Sequence, residues 1–144
     1  MNCIRHLGVT VSDLDKALEF YVDLLGFRVH KMADESGECI DNFSSLKDVA
    51  VTTVKMYDNN DNMLELLHYK SHPEPADKNR TRPITEIGCS HFALTVDDLD
   101  SLYDSLSGEG IEFNYPVQVS PDGNVKVAFC RDPDGTLIEM VEEL

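Results

Sequence analysis

The chain contains an internal repeat, and this repeat constrains the fold more than any other feature of the sequence. The motif HLGVTVSDLD at residues 6–15 returns as HFALTVDDLD at residues 91–100, with six of the ten positions identical. A second similarity joins MLELL at residues 63–67 to LIEMV at residues 137–141. A histidine opens both copies and a glutamate lies near the end of both. The sequence therefore predicts two copies of one structural module.

Both copies show the same order of predicted elements. Alternating apolar residues predict a strand, a one-sided apolar stripe predicts a helix, and a second strand and a hairpin with a polar turn follow. In the first copy these elements fall at residues 2–11, 14–25, 27–32, 49–57 and 62–68. In the second copy they fall at residues 88–96, 99–106, 111–115, 125–131 and 136–142. The sequence therefore predicts an α+β fold made of two βαβββ modules.

The modules are expected at residues 1–70 and 84–144, with a linker at residues 71–83. The linker reads SHPEPADKNRTRP, which is rich in proline and charge and has no periodicity. Ser12 lies just before the first helical stripe and is expected to cap that helix, and Gly26 is expected to end it. Because 144 residues make one domain of ordinary size, we expect the two modules to form one structural domain overall.

Composition excludes several classes of partner. The chain has 12 Lys and Arg against 27 Asp and Glu, a net charge of −15, which repels phosphate backbones and anionic membranes. No apolar run approaches the about 20 residues that span a bilayer, and the first residues do not resemble a signal peptide. The four cysteines are scattered and form no CxxC pair, as expected of reduced thiols. We therefore expect a cytoplasmic protein that binds neither nucleic acid nor membranes.

Four ionisable residues share one strand face in the predicted modules. His6 and His91 lie on the polar faces of the opening strands, and Glu65 and Glu139 lie opposite the apolar faces of the closing strands. Each residue taken singly is more typical of a hydrogen-bonded histidine or a solvated glutamate. Four such residues related by the repeat are harder to explain in that way, and two imidazoles with two carboxylates suit a divalent ion. If the two sheets form one trough, the four side chains could converge there.

The motifs HLGVTVSDLDKALEFYVDLLGF, MLELL, HFALTVDDLD and DPDGTLIEMVE resemble the vicinal oxygen chelate superfamily. This superfamily includes glyoxalase I, methylmalonyl-CoA epimerase, extradiol dioxygenases and the fosfomycin and bleomycin resistance proteins. The resemblance covers the chain apart from residues 35–47 and the linker. It implies a curved mixed sheet around a metal-binding trough, a homodimer, and a small-molecule substrate. The implied ligands of one divalent ion (Ni, Co, Zn, Mn or Fe) are His6, Glu65, His91 and Glu139.

The second ligand position distinguishes the branches of this superfamily. Glu65 fills it, as in the glyoxalase I and epimerase branch, whose members shift a proton next to a carbonyl through a metal-bound enediolate or enolate. The resemblance implies that Glu139 is the catalytic base, and that Glu65 serves the opposite face of the substrate if the enzyme is an epimerase. The sequence thus favours a metal-dependent isomerase, epimerase or lyase.

The residues expected to bind glutathione in glyoxalase I are missing. Thr10, Tyr69 and Ile87 stand where the resemblance implies an arginine, an asparagine and a basic residue. This difference favours a reaction that does not depend on glutathione. Lys126 is a candidate for binding a substrate anion, because Val125 and Phe129 are expected to cover the helix and Lys126 to face the trough. A solvated lysine at the sheet rim explains Lys126 equally well.

Two alternatives stay open. A thiol transferase or a dioxygenase of the same fold would require that Glu65 is not a ligand. A binding protein of the bleomycin resistance type would sequester a drug without a metal, and the set of two histidines and two glutamates argues against it.

Overall fold

The structure is a computed structural model in which residues 2–73 and 82–144 are described. The chain divides into two compact units, Met1–Ala76 and Asp77–Leu144. The division falls inside the predicted linker, of which positions 74–81 lie outside the described residues. No helix in the described part of the chain is long and apolar enough to cross a membrane.

Unit 1 is a four-stranded mixed sheet with the strand order β1-β4-β3-β2. Strands β1 and β4 are parallel, and the other pairs are antiparallel. The strands are β1 (Leu7–Thr10), β2 (Arg28–Ser36), β3 (Ala50–Tyr57) and β4 (Met63–Tyr69). Helix α1 (Leu14–Leu18) and the π-helix that continues it (Glu19–Leu24) connect β1 to β2.

Unit 2 repeats this topology with the strand order β5-β8-β7-β6. Strands β5 and β8 are again parallel, and β7 pairs antiparallel with β6 and β8. The elements are β5 (Phe92–Thr95), α3 (Leu99–Gly108), β6 (Gln118–Val119), β7 (Val125–Arg131) and β8 (Leu137–Glu143). The predicted α+β fold with two repeated modules is confirmed.

The first helix begins at the predicted residue, Leu14, and differs from the prediction in its capping residue and its type. Asp13 rather than Ser12 is the N-cap, and its side chain accepts a hydrogen bond from the Lys16 backbone N–H at 3.1 Å. The expected end is confirmed, because Gly26 adopts φ 78° and donates to the Val22 carbonyl. Phe20 and Tyr21, both in the π-helix, are buried.

An additional helix, α2 (Glu38–Ser44), lies in the segment that gave no prediction. Strand β2 runs to Ser36, and the helix follows Gly37, whose φ of 103° favours glycine. Ile40 packs on Val49 and Val51, so α2 covers one end of the sheet. Seven residues with a single buried position carry too little periodicity to be recognised as a helix.

The predicted strand at residues 111–115 is wrong in extent. Phe113 makes only an isolated bridge to Cys130, and the edge strand β6 begins later, at Gln118. Pro116 has no backbone N–H to donate to a ladder, which explains why pairing resumes only after it.

Candidate functional site

In unit 1, the parallel pairing of β1 with β4 brings His6 close to Glu65. Gly8 lies beside Glu65 in this register, and His6 precedes the strand by one residue. The Nε2 atom of His6 is 3.2 Å from Oε2 of Glu65. Glu65 projects from the face opposite Leu64 and Leu66, and its side chain is nevertheless only 12% exposed. A carboxylate with so little solvent requires a charged or hydrogen-bonding partner.

Unit 2 repeats this arrangement, with the same two side-chain atoms at the same distance. Ala93 lies beside Glu139 in the parallel pairing of β5 with β8, and Nε2 of His91 is 3.2 Å from Oε2 of Glu139. The side chains of His91 and Glu139 are 30% and 25% exposed, so this pair is more open than the pair in unit 1 on its carboxylate side. The repeated motifs therefore encode a His–Glu pair at the same place in each sheet.

The donor atoms of each pair are spaced as two ligands of one ion would be. Ligand atoms about 2.1 Å from a metal lie about 3.0 Å apart at a right angle and about 3.4 Å apart at the tetrahedral angle. The observed 3.2 Å lies between these values in both units. The nitrogen and oxygen donors suit borderline divalent ions such as zinc, nickel or cobalt. The same 3.2 Å also lies within the distance range of a histidine–carboxylate hydrogen bond.

The other ring nitrogen of His91 has a partner as well. Its Nδ1 lies 2.8 Å from the hydroxyl oxygen of Ser90. If Nε2 binds a metal, the ring proton is on Nδ1 and is donated to that hydroxyl, which fixes the orientation of the ring. Support of this kind around a ligating histidine is typical of metal sites.

The residue across the hairpin from each glutamate differs between the units. Lys55 pairs with Glu65, and its Nζ lies 3.6 Å from Oε1 of Glu65. Phe129 takes the equivalent position opposite Glu139, and its ring centroid is 5.4 Å from that of His91. The position of Lys55 was not predicted from the sequence, although the polar turn at residues 58–61 fixes the hairpin register that places it there.

The expected orientation of Lys126 is wrong. Lys126 shares its strand face with Ala128, which is buried, and its Nζ lies 2.7 Å from Oδ2 of Asp100 on helix α3. A second ion pair joins Nζ to Oε1 of Glu142 at 3.3 Å. The hydrogen bond to Asp100 raises the pKa of Lys126, although partial burial acts in the opposite direction. Lys126 therefore holds α3 to the sheet and does not lie beside His91 and Glu139.

The error in orientation has a physical origin. Both faces of β7 carry apolar residues, and Val125 and Phe129 were expected to cover the helix. Cys130 is fully buried on the helix side, and burial raises the pKa of its thiol to about 12. Alternation alone cannot decide between two apolar faces of one strand.

The described residues of each unit contain no group of three or more His, Cys, Asp or Glu side chains that could hold a metal. Unit 1 brings His6 next to Glu65, and unit 2 brings His91 next to Glu139. The predicted set of four is therefore present as two pairs, and their convergence on one ion stays a prediction.

Comparisons with known proteins agree on one family. The model of the Glyoxalase/Bleomycin resistance protein/Dioxygenase superfamily matches residues 4–140. The uncharacterized protein YwkD of Bacillus subtilis is 30% identical over 99% of this chain and 98% of its own length. A probable lactoylglutathione lyase of Synechocystis is 29% identical over 96% of this chain and 94% of its own. A glyoxalase family protein of Bacillus cereus, solved by crystallography, superposes with a TM-score of 0.88 at 26% identity, covering 98% and 93% of the two chains.

Proposed function

The chain belongs to the Glyoxalase/Bleomycin resistance protein/Dioxygenase superfamily, and we propose that within it the protein is a divalent-metal-dependent isomerase, epimerase or lyase. Its reaction shifts a proton on a carbon next to a carbonyl. The observation that carries this proposal is the duplicated His–Glu pair, with the same 3.2 Å separation in both units. Both modules keep this pair although the residue across the hairpin from each glutamate differs, Lys55 in one and Phe129 in the other.

The proposed ligands are His6 and Glu65 of unit 1 with His91 and Glu139 of unit 2. Two neutral imidazoles and two carboxylates give the mixed donor set that such ions accept. The bound ion would polarise a carbonyl oxygen of the substrate and stabilise the negative charge that develops on it. A site built within one chain and a site shared by two chains both fit the proposal. The resemblance favours a homodimer.

The two glutamates are proposed to have different roles. Glu139 is the more exposed carboxylate, and it takes the proton from carbon and returns it. Glu65 is more buried and is also approached by Lys55. It serves as a ligand, and in an epimerase it acts on the opposite face of the substrate. The difference in surroundings supports this division, because a base must reach the substrate and a ligand needs only to hold its place.

The substrate is proposed to be a small oxo-acid, thioester or hemithioacetal. Relatives named lactoylglutathione lyase or probable lactoylglutathione lyase support the hemithioacetal. The residues Thr10, Tyr69 and Ile87 favour a substrate without glutathione, since none offers the expected contact. Ile87 is almost fully exposed.

The test is the metal content of protein purified without chelators and without an affinity tag that binds nickel. The wild type is expected to hold about one ion per chain, and the variants His6→Ala, Glu65→Ala, His91→Ala and Glu139→Ala to lose most of it. Removing one ligand typically lowers metal affinity by at least the 10- to 100-fold seen for supporting residues. His68→Ala is the matched control, because His68 lies on β4 with the opposite parity to Glu65.

The outcomes separate the candidate functions. Loss of metal only from the variants of His6, His91 and Glu139 would show that Glu65 is no ligand and would favour a dioxygenase or thiol transferase. Oxygen uptake dependent on iron(II) would then identify a dioxygenase. Absence of metal even after incubation with several divalent ions would refute the proposal and favour a protein that sequesters a drug.

A further inference from the structure

A cationic side chain lies next to the carboxylate of the unit 1 pair. Lys55 is directly across the β3–β4 hairpin from Glu65, and its Nζ is 3.6 Å from Oε1. This distance exceeds the 2.7–3.2 Å that is typical of an N–H···O hydrogen bond. The side chain of Lys55 is 36% exposed, so solvent reaches part of it. An ammonium has three N–H donors, and Glu65 satisfies at most one of them at this distance.

A second lysine lies beside the first. Lys31 of β2 is the cross-strand partner of Lys55, so the two lysines and Glu65 form a row across the same face of the sheet. Like charges directly opposite each other in a sheet are destabilising, and the carboxylate of Glu65 compensates one of the two lysines. The chain has 12 basic residues against 27 acidic ones, so two adjacent lysines here are not a consequence of composition. Two ammonium groups face one carboxylate in this row, so a second anion would complete the balance of charge.

The equivalent position of unit 2 lacks the cation. Phe129 stands across from Glu139 there, with its ring packed on His91. The repeat thus preserves the His–Glu pair and changes the neighbour from an apolar ring to an ammonium. The two pairs therefore have different electrostatic surroundings, as recognition of an asymmetric substrate requires.

We propose that Lys55, with Lys31 beside it, binds a carboxylate of the substrate next to the His6–Glu65 pair. The inference rests on the proposed function and narrows its substrate class to carbonyl compounds that carry a carboxylate. The carbonyl oxygen lies at the metal-binding side chains, and the carboxylate accepts hydrogen bonds from Nζ of Lys55. Neutral thioesters and neutral hydroxyketones lack this contact and are poorer substrates.

The test compares two chelating probes on metal-loaded protein by calorimetry. Malonomonohydroxamate and propionohydroxamate present the same pair of vicinal oxygens, and only the first carries a carboxylate. The wild type is expected to bind the first at least about tenfold more tightly, as one hydrogen bond to a charged group would give. Lys55→Met is expected to lose this preference without changing the affinity for propionohydroxamate, and Lys55→Arg to retain most of it.

Lys70→Met is the matched control, because Lys70 follows β4 and forms an ion pair with Asp34 at 2.7 Å. It should leave both affinities unchanged. An equal loss for both probes in Lys55→Met would mean that the lysine acts through Glu65 and the metal, and would overturn the inference. An unchanged preference would overturn it as well.

The two proposals fail in different ways. If wild-type protein binds no metal, the proposed function fails, and the same titration is made on metal-free protein. Binding of malonomonohydroxamate that is lost in Lys55→Met would then still support the anion site. Absence of binding, or binding that does not depend on Lys55, would overturn it.

Discussion

Oε2 of Glu139 lies 3.2 Å from Nε2 of His91, the same separation that joins Glu65 to His6. Equal distances do not make the two pairs equivalent, because the side chain of Glu65 is 12% exposed and that of Glu139 is 25% exposed. The neighbours also differ, with Lys55 near the first pair and Phe129 near the second. The duplication provides two similar pairs of donors, and their surroundings can assign them different tasks.

The first prediction concerns the more exposed carboxylate. Glu139→Gln is expected to slow turnover by about 10²-fold or more, because glutamine cannot take a proton from carbon. Glutamine keeps an oxygen donor, so some metal should remain. The measurement is the rate at which solvent deuterium enters the substrate, followed by NMR, alongside the metal content of the same preparation. The neighbouring variant Glu143→Gln, at the exposed end of β8, is the control. Full turnover with bound metal in Glu139→Gln would exclude this residue as the base.

The second prediction follows from the position of Lys126. Its ion pairs with Asp100 and Glu142 hold the start of α3, where Oε2 of Glu142 also accepts the Leu99 N–H at 2.7 Å. Lys126→Met is expected to lower the thermal unfolding midpoint by a few degrees, and the difference should shrink in high salt. Metal content and turnover should not change, because Lys126 lies on the helix side of β7. A loss of substrate affinity with unchanged stability would restore the original prediction for this residue.

The sequence predicted those parts of the fold in which local pattern and burial agree. The repeated motifs gave both modules, and β7 (Val125–Arg131) was predicted with the bounds it has. Alternation also placed His6 and Glu65 on one face, where they meet. The placement on a face succeeds where only one face of a strand is apolar, since a single orientation then buries it.

The sequence could not predict features that depend on contacts between distant segments. Lys126 was placed on the wrong face because both faces of β7 are apolar, and only packing against α3 decides between them. Lys55 was overlooked because its importance depends on pairing with Glu65. Helix α2 was missed because Ile40 is its one buried residue. In each case the deciding interaction is tertiary.

The third prediction concerns the thiols. Cys3, Cys39 and Cys89 are exposed, whereas Cys130 is fully buried and burial raises its pKa to about 12. Because the thiolate is the reactive form, a disulfide reagent at pH 8 should modify three thiols rapidly and the fourth only as fast as the protein unfolds. A variant with all three exposed cysteines changed to serine should show no rapid phase. A rapid reaction of that variant in its native state would contradict the burial of Cys130.

The last prediction concerns acid stability and the carboxylate that caps α3. Asp98 accepts hydrogen bonds from the backbone N–H of Ser101 at 3.0 Å and from its hydroxyl at 2.7 Å, and these bonds lower the pKa of Asp98 below its ordinary 3.8. A depressed pKa in the folded state means that the ionised cap stabilises the fold above pH 3.8. This stabilisation is lost as the pH falls through the lower, folded value.

Asp98→Asn isolates this effect, because asparagine is also a good N-cap but carries no charge that can be titrated. The wild type should unfold at a higher temperature than Asp98→Asn at pH 6, and the difference should narrow as the pH falls below 3.8. Thermal unfolding followed by circular dichroism from pH 6 to about pH 2.5 measures it. Asp104→Asn, on the exposed side of α3, controls for the loss of one surface charge. A difference that stays constant or widens on acidification would show that the Asp98 charge does not stabilise the helix, and that only the oxygen acceptor of the cap matters.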